Sequence, residues 1–137
     1  MKALARTFRA WNLHTQKCAR EIGIPDSYRL ILMFLNRNPG ANQIMIAAFA
    51  DRSTACVNQN VKKMIADGYI RKETDTSDQR YTKLYLTEVG SAKAAELSHR
   101  LADSDEKITR LLGKEKESEI IMELQNICKL LEEGLQC

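Results

Sequence analysis

The fold class this sequence predicts is mainly α with a small β-hairpin wing: a winged helix-turn-helix flanked by amphipathic helices at both ends of the chain. Three observations carry that prediction. Two helical patterns, one from Asn42 and one from Ser53, are joined by about three residues at Ala50-Asp51-Arg52, the spacing of a helix-turn-helix. A strand–loop–strand pattern, YIRKE, TDTSDQR and YTKLYLT, follows the second helix directly. Apolar residues recur at helical spacing in the first and last thirds of the chain, beyond what a winged helix alone can cover.

The elements follow in order. Leu4, Phe8, Trp11, Thr15 and Cys18 lie three or four apart, with Arg6, Arg9, Asn12, Gln16 and Lys17 between them. They predict an amphipathic helix of about four turns that Gly23 closes. Pro25 suits the first position of a second helix, with Asp26 and Ser27 in its first turn. Tyr28, Ile31, Leu32 and Leu35 form its main apolar face, and Leu30, Met33 and Phe34 cover much of the rest. A helix apolar nearly all round belongs at the centre of the fold. Asn38-Pro39-Gly40 ends it as a turn.

Asn42 caps a short third helix that can turn Ile46, Ala47 and Ala50 inward. Ser53 caps the fourth, Gly68 stops it in a left-handed conformation, and Val57, Val61, Met64 and Ile65 share its inner face. In the hairpin, Leu84 and Leu86 point one way while Tyr81, Lys83 and Tyr85 point the other. Thr87 caps a long helix with Glu88 in its first turn and Val89, Ala92, Leu97, Leu101, Ile108 and Leu111 on its apolar side. Gly113 interrupts it. The last helix carries Ile120, Leu124, Ile127 and Leu131, with Ile121, Cys128 and Leu135 one step round, close to heptad spacing. This surplus apolar face predicts self-association; an intramolecular bundle of the same helices is the alternative.

Composition removes several function classes. No apolar run approaches the ~20 residues that cross a membrane, and MKALARTFRAWN lacks a signal-peptide core, so a cytoplasmic protein without a membrane partner is expected. Cys18, Cys56, Cys128 and Cys137 are scattered, with no CxxC and no metal-ligand spacing, and read as reduced thiols. His14 and His99 stand apart from any ligand partner. No nucleophile–base pair, phosphate loop or carboxylate constellation is present, so neither an enzyme, a metal nor a cofactor is expected. The net charge is only +3, but it is unevenly spread. Residues 1–51 carry seven Lys/Arg against three Asp/Glu, residues 52–83 seven against four, and residues 84–137 seven against eleven. The basic excess covers the helix–hairpin stretch, which favours a polyanionic partner there.

With Val57 and Val61 inward, Ala55, Gln59 and Lys62 face outward on the fourth helix, flanked by Cys56, Asn58 and Lys63, with Ser53 and Thr54 at its start. Gln59 and Asn58 have the donor–acceptor pair that reads adenine bidentately. Arg71, Lys72 and Lys83 flank the hairpin within reach of phosphates, although ordinary surface charge explains each singly almost as well.

These stretches resemble MarR-type transcriptional regulators, dimeric winged-helix proteins of bacteria and archaea. The carrying residues are the helix pair from Asn42, the run MIADGYIRK, and DTSDQRYTKLYLTEVG, in which Asp78 and Arg80 precede Leu86, Thr87, Glu88 and Gly90. The resemblance covers essentially the whole chain. It implies a single MarR-like domain over residues 1–137, with a DNA-binding winged helix over 25–87 and dimerisation helices over 1–22 and 88–137.

It further implies a homodimer on double-stranded DNA, most often a repressor, with recognition helices in successive major grooves of a near-palindromic operator. Arg80 would reach the minor groove and Asp78 would hold it in place. Arginine fits the concentrated negative potential of a narrow minor groove. A small-molecule effector, where such a protein has one, would lodge near Trp11, Tyr28 and Met33, residues explained equally well as core. Cys56, near a helix N-terminus, is a candidate oxidant-sensing thiol, with packing as its alternative. The sequence departs from the family at Ala55, Cys56 and Gln59, where hydroxyl residues and an arginine are common. That departure supports a rival reading, a dimeric protein-interaction module that has lost operator binding.

Overall fold

Asn42 and Ser53 set the geometry of the central unit, each by a single side-chain bond. The Asn42 Oδ1 accepts from the Met45 amide at 3.0 Å, and the Ser53 hydroxyl accepts from the Cys56 amide at 3.2 Å, so both short helices begin where local capping chemistry places them. A computed structural model describes residues 2–74 and 82–134 of the chain. In order these form α1 (Lys2–Glu21), α2 (Asp26–Arg37), α3 (Gln43–Ala50), α4 (Thr54–Ala66), β1 (Ile70–Thr74), β2 (Thr82–Leu86), α5 (Glu88–Leu112) and α6 (Lys114–Glu132). Asp78 and Arg80 lie outside the described residues. The fold is mainly helical with a two-stranded antiparallel hairpin, and the chain divides into two units, Met1–Leu101 and Ala102–Cys137. Among the described residues no helix is long and apolar enough to cross a membrane.

In the first unit, α2 is the centre. Its Tyr28, Ile31, Leu32 and Leu35 are buried, and it packs on α1, α3, α4 and β2. Pro25 stands one place earlier than its sequence suggested. It occupies the N-cap with ψ at 142°, and its ring-fixed φ suits that site as well as the first helical one. In the first turn Asp26 pairs with Arg29 at 3.0 Å, which lets the Arg29 side chain be almost wholly buried. The stripe on α1 is only half used: Thr15, Cys18 and Ala19 are buried, whereas Phe8 is 66% exposed.

The hairpin pairs Ile70 with Leu86 through to Thr74 with Thr82. Leu84 is buried and Leu86 half-buried, while Lys83 on the other face is exposed. A further pairing appears that the sequence reading left as a turn. Ala41 bridges to Leu84, with the Gly40 amide on the Leu84 carbonyl at 2.9 Å and the Leu84 amide on the Ala41 carbonyl at 3.0 Å. This staples the α2–α3 connection to the wing.

At the start of α5 the buried side differs from the predicted one. Val89 is exposed, as is Ala92, and Gly90, Ala94, Leu97 and Leu101 face inward. The reason is a close backbone approach: a Cβ on Gly90 would stand 2.1 Å from the Tyr69 carbonyl oxygen. Thr87 completes the junction. Its hydroxyl accepts from the Gly90 amide at 3.1 Å and donates to the Gly68 carbonyl at 2.5 Å, and its amide donates to the Tyr69 carbonyl at 3.0 Å. Further along α5, Lys93 donates to the Ile22 carbonyl at 2.8 Å and Arg100 pairs with Glu21 at 3.0 Å, tying the helix to the end of α1.

The second unit contains the end of α5 and all of α6, joined at Gly113 with φ +79°. The Gly113 amide closes α5 on the Thr109 carbonyl at 2.8 Å, and the Thr109 hydroxyl reaches Glu117 at 2.6 Å. No residue of α6 is buried. Ile120, Ile121, Leu124 and Leu131 are all exposed, the apolar row that the near-heptad spacing predicted.

Candidate nucleic-acid interface

Three buried residues, Val57, Val61 and Met64, fix the rotation of α4 against the core. That rotation leaves Ser53, Thr54, Ala55, Cys56, Gln59, Lys62 and Lys63 exposed, the outward set the sequence predicted. Asn58 differs from them. It is half-buried, and its Oδ1 accepts from the Gln43 Nε2 of α3 at 3.4 Å. Gln43 went unremarked in the sequence because nothing local relates it to a residue fifteen positions later.

The C-terminal end of α4 is held as firmly as its start. The buried Tyr28 of α2 donates its hydroxyl to the Asp67 carboxylate, just past the helix, at 2.6 Å. Its ring meets Tyr69 edge-on, with centroids 5.8 Å apart. Burial, then the hydrogen bond to Asp67 and the charge of that carboxylate, push the Tyr28 pKa up to about 12. Tyr28 therefore fixes the tilt of α4 relative to α2.

On the hairpin, Lys83 is exposed and lies opposite Glu73 in the pairing register. Arg71 pairs with Glu73 and stacks over the Tyr85 ring, 4.6 Å from its centroid, so part of its charge is turned back on the strand pair. Lys72 is exposed between them.

Beside α4 lies a cavity of about 720 Å³, with walls from α1, α2, the end of α3 and the inner edge of α4. Phe8, Trp11, Met33 and Phe49 supply apolar wall, and Arg29 and Cys56 supply polar atoms. Two of the three residues expected near an effector, Trp11 and Met33, line it; Tyr28 does not, being engaged with Asp67. Cys56 is exposed, and its sulfur accepts from the Asn60 side chain at 3.8 Å. Cys18 is buried on α1, and Cys128 is exposed on α6. Among the described residues no group of three His, Cys, Asp or Glu stands close enough to hold a metal.

This architecture matches known proteins along most of its length. Residues 22–80 match the model of the MarR family. The chain is 27% identical over 114 residues to the HTH-type transcriptional regulator BilQ of Clostridium symbiosum (strain WAL-14163), covering 82% of this chain and 78% of that protein. Among solved structures, the repressor CouR bound to a 23-mer DNA duplex superposes with a TM-score of 0.78 at 24% identity, over 92% of this chain and 89% of its own. FabT of Streptococcus pneumoniae in complex with DNA gives 0.80 at 17% identity, over 96% and 94%. At these identities the two structures speak for the fold.

Proposed function

We propose, from the match of residues 22–80 to the MarR family model and the likeness of the fold to MarR-family structures, that the protein is a cytoplasmic repressor that binds a near-palindromic operator as a homodimer. The observation that carries the reading is the exposed polar row on α4. Ser53, Thr54, Gln59, Lys62 and Lys63 stand on a helix held at both ends, by the Ser53 cap and by the Tyr28–Asp67 bond, as an element entering a major groove needs to be. Lys72 and Lys83 add positive charge on the neighbouring hairpin, and by the sequence resemblance Asp78 and Arg80, which lie outside the described residues, correspond to the family's wing pair. Two exposed apolar surfaces support self-association: Phe8 and Leu13 on α1, and the α6 row from Ile120 to Leu131.

Release of the operator by a small molecule is supported by the cavity lined by Trp11 and Met33. It touches both α2 and α4, so an occupant can favour one setting of the recognition helix over another. Cys56 at its edge offers an oxidant the same point of action.

The test is fluorescence anisotropy on duplexes recovered by in-vitro selection, repeated across a salt series. Operator binding predicts a log–log slope near −0.9 for each phosphate neutralised. Absence of binding to any duplex at low salt would favour the rival, a protein-interaction module. The observation on its side is the apolar surface of α3, where Ile44, Met45 and Phe49 are exposed.

A further inference from the structure

Among the described contacts of the outward residues of α4, Asn58 is the one whose side chain is engaged from another helix, by Gln43 of α3. We propose that Gln43 is a positioning residue for base recognition: by turning the Asn58 oxygen toward α3, it holds the amide out of the orientation in which oxygen and nitrogen would meet adenine together, and makes Asn58 a single-donor reader instead. The inference rests on the DNA-binding reading above and goes beyond it by assigning a specificity role to a residue of α3.

The geometry supports this in three steps. Asn58 lies on the exposed stripe of α4, one helical turn from Thr54 and Ala55 on one side and Lys62 on the other. It is half-buried where those neighbours are exposed, because α3 approaches it there. Its Oδ1 accepts from Gln43 Nε2 at 3.4 Å, and the helix turn at Asp51, with φ +50° and ψ +52°, fixes how α3 and α4 meet.

The chemical consequence follows from the base edges. Asparagine reads adenine by accepting from N6 with its oxygen while donating to N7 with its nitrogen. With Oδ1 turned toward Gln43, only the Nδ2 donor faces the groove. A lone donor is satisfied by N7 of adenine, by N7 or O6 of guanine, or by O4 of thymine, and is opposed by the amino donor of cytosine. The intact protein should therefore exclude cytosine at this position and tolerate the other three bases. Removing Gln43 frees the acceptor, and the same asparagine becomes an adenine reader.

The experiment is in-vitro selection of duplexes with the full-length protein, with Gln43→Ala, with Asn58→Ala and with the double variant, each checked for native helicity. The expected result is one position per half-site that rejects cytosine in the intact protein and gains about a tenfold preference for adenine in Gln43→Ala. Both effects vanish in Asn58→Ala and in the double variant. Identical base distributions for the intact protein and Gln43→Ala would overturn the inference, and so would a shift toward any base other than adenine. Failure of the intact protein to enrich any duplex would instead overturn the DNA-binding reading, and this inference with it.

Discussion

Gly90→Ala is the sharpest test of how the fold is built, because two physical effects predict opposite signs for it. Gly90 lies inside α5, where alanine is better than glycine by about 1 kcal/mol in helix propensity alone. Against that stands the Tyr69 backbone. The new methyl carbon would lie 2.1 Å from the carbonyl oxygen and 3.0 Å from the carbonyl carbon, where ordinary contact begins near 3.4 Å. Relief requires a separation of about 1.3 Å, the difference between 3.4 and 2.1 Å, between the first turn of α5 and the residue that begins the wing. A shift of that size breaks the Thr87 amide bond to Tyr69 and strains the Thr87 bonds to Gly90 and Gly68. Each such bond is worth about 0.5–1.5 kcal/mol, and loosened packing around Leu86 adds about 1 kcal/mol more. After the propensity gain, Gly90→Ala should destabilise the protein by about 1–3 kcal/mol. Urea unfolding at one fixed protein concentration measures it, with the exposed neighbour Ser91→Ala as the propensity control. A Gly90→Ala protein as stable as the parent, or more so, would refute the reasoning.

The remaining predictions are shorter. Arg80→Ala should weaken operator binding by about 1–3 kcal/mol, and an unchanged anisotropy isotherm would count against the wing reading. Tyr28→Phe removes the bond to Asp67 and should cost about 1 kcal/mol at neutral pH. Since the Tyr28 pKa is raised in the folded state, its stabilisation is complete below pH 10 and fades as pH rises toward 12. With screening at the exposed Asp67 this amounts to about 1 kcal/mol, so alkaline unfolding should be less steep in Tyr28→Phe than in the parent. Leu124→Lys, on the exposed row of α6, should shift sedimentation toward monomer at micromolar protein; unaltered association would remove α6 from the interface. Peroxide should lower operator affinity in the parent and leave Cys56→Ser unaffected if Cys56 is the sensing thiol.

What the sequence disclosed was what local chemistry decides. Asn42, Ser53, Gly23, Gly68 and Gly113 act within a turn of themselves, and each marks its boundary where expected. The outward set on α4 followed from two valines at helical spacing. What stayed hidden depends on residues far apart in sequence. Tyr28 finds Asp67 39 residues on, and Ala41 finds Leu84 across the wing. The start of α5 differs for another reason: apolar spacing points to Val89 and Ala92, whereas the close backbone approach at Tyr69 sets Gly90, and with it Ala94, on the buried face. Asn58 was assigned to the right surface with too much freedom, because Gln43 became a neighbour only through the fold.

The Tyr69 carbonyl has a consequence for how such a protein can change what it reads. One peptide receives the Thr87 amide, closes against Gly90, and joins the end of α4 to the start of β1, so three elements share a single hinge point. The end of α4, the start of β1 and the start of α5 are therefore tied to one another at this point, so a change in the angle between any two is felt by the third. Retuning toward a new operator has to come through substitution of the side chains they carry. Retuning of how that corner sits has to come through the residues that meet at this peptide. The two kinds of adaptation are thereby kept on separate residues.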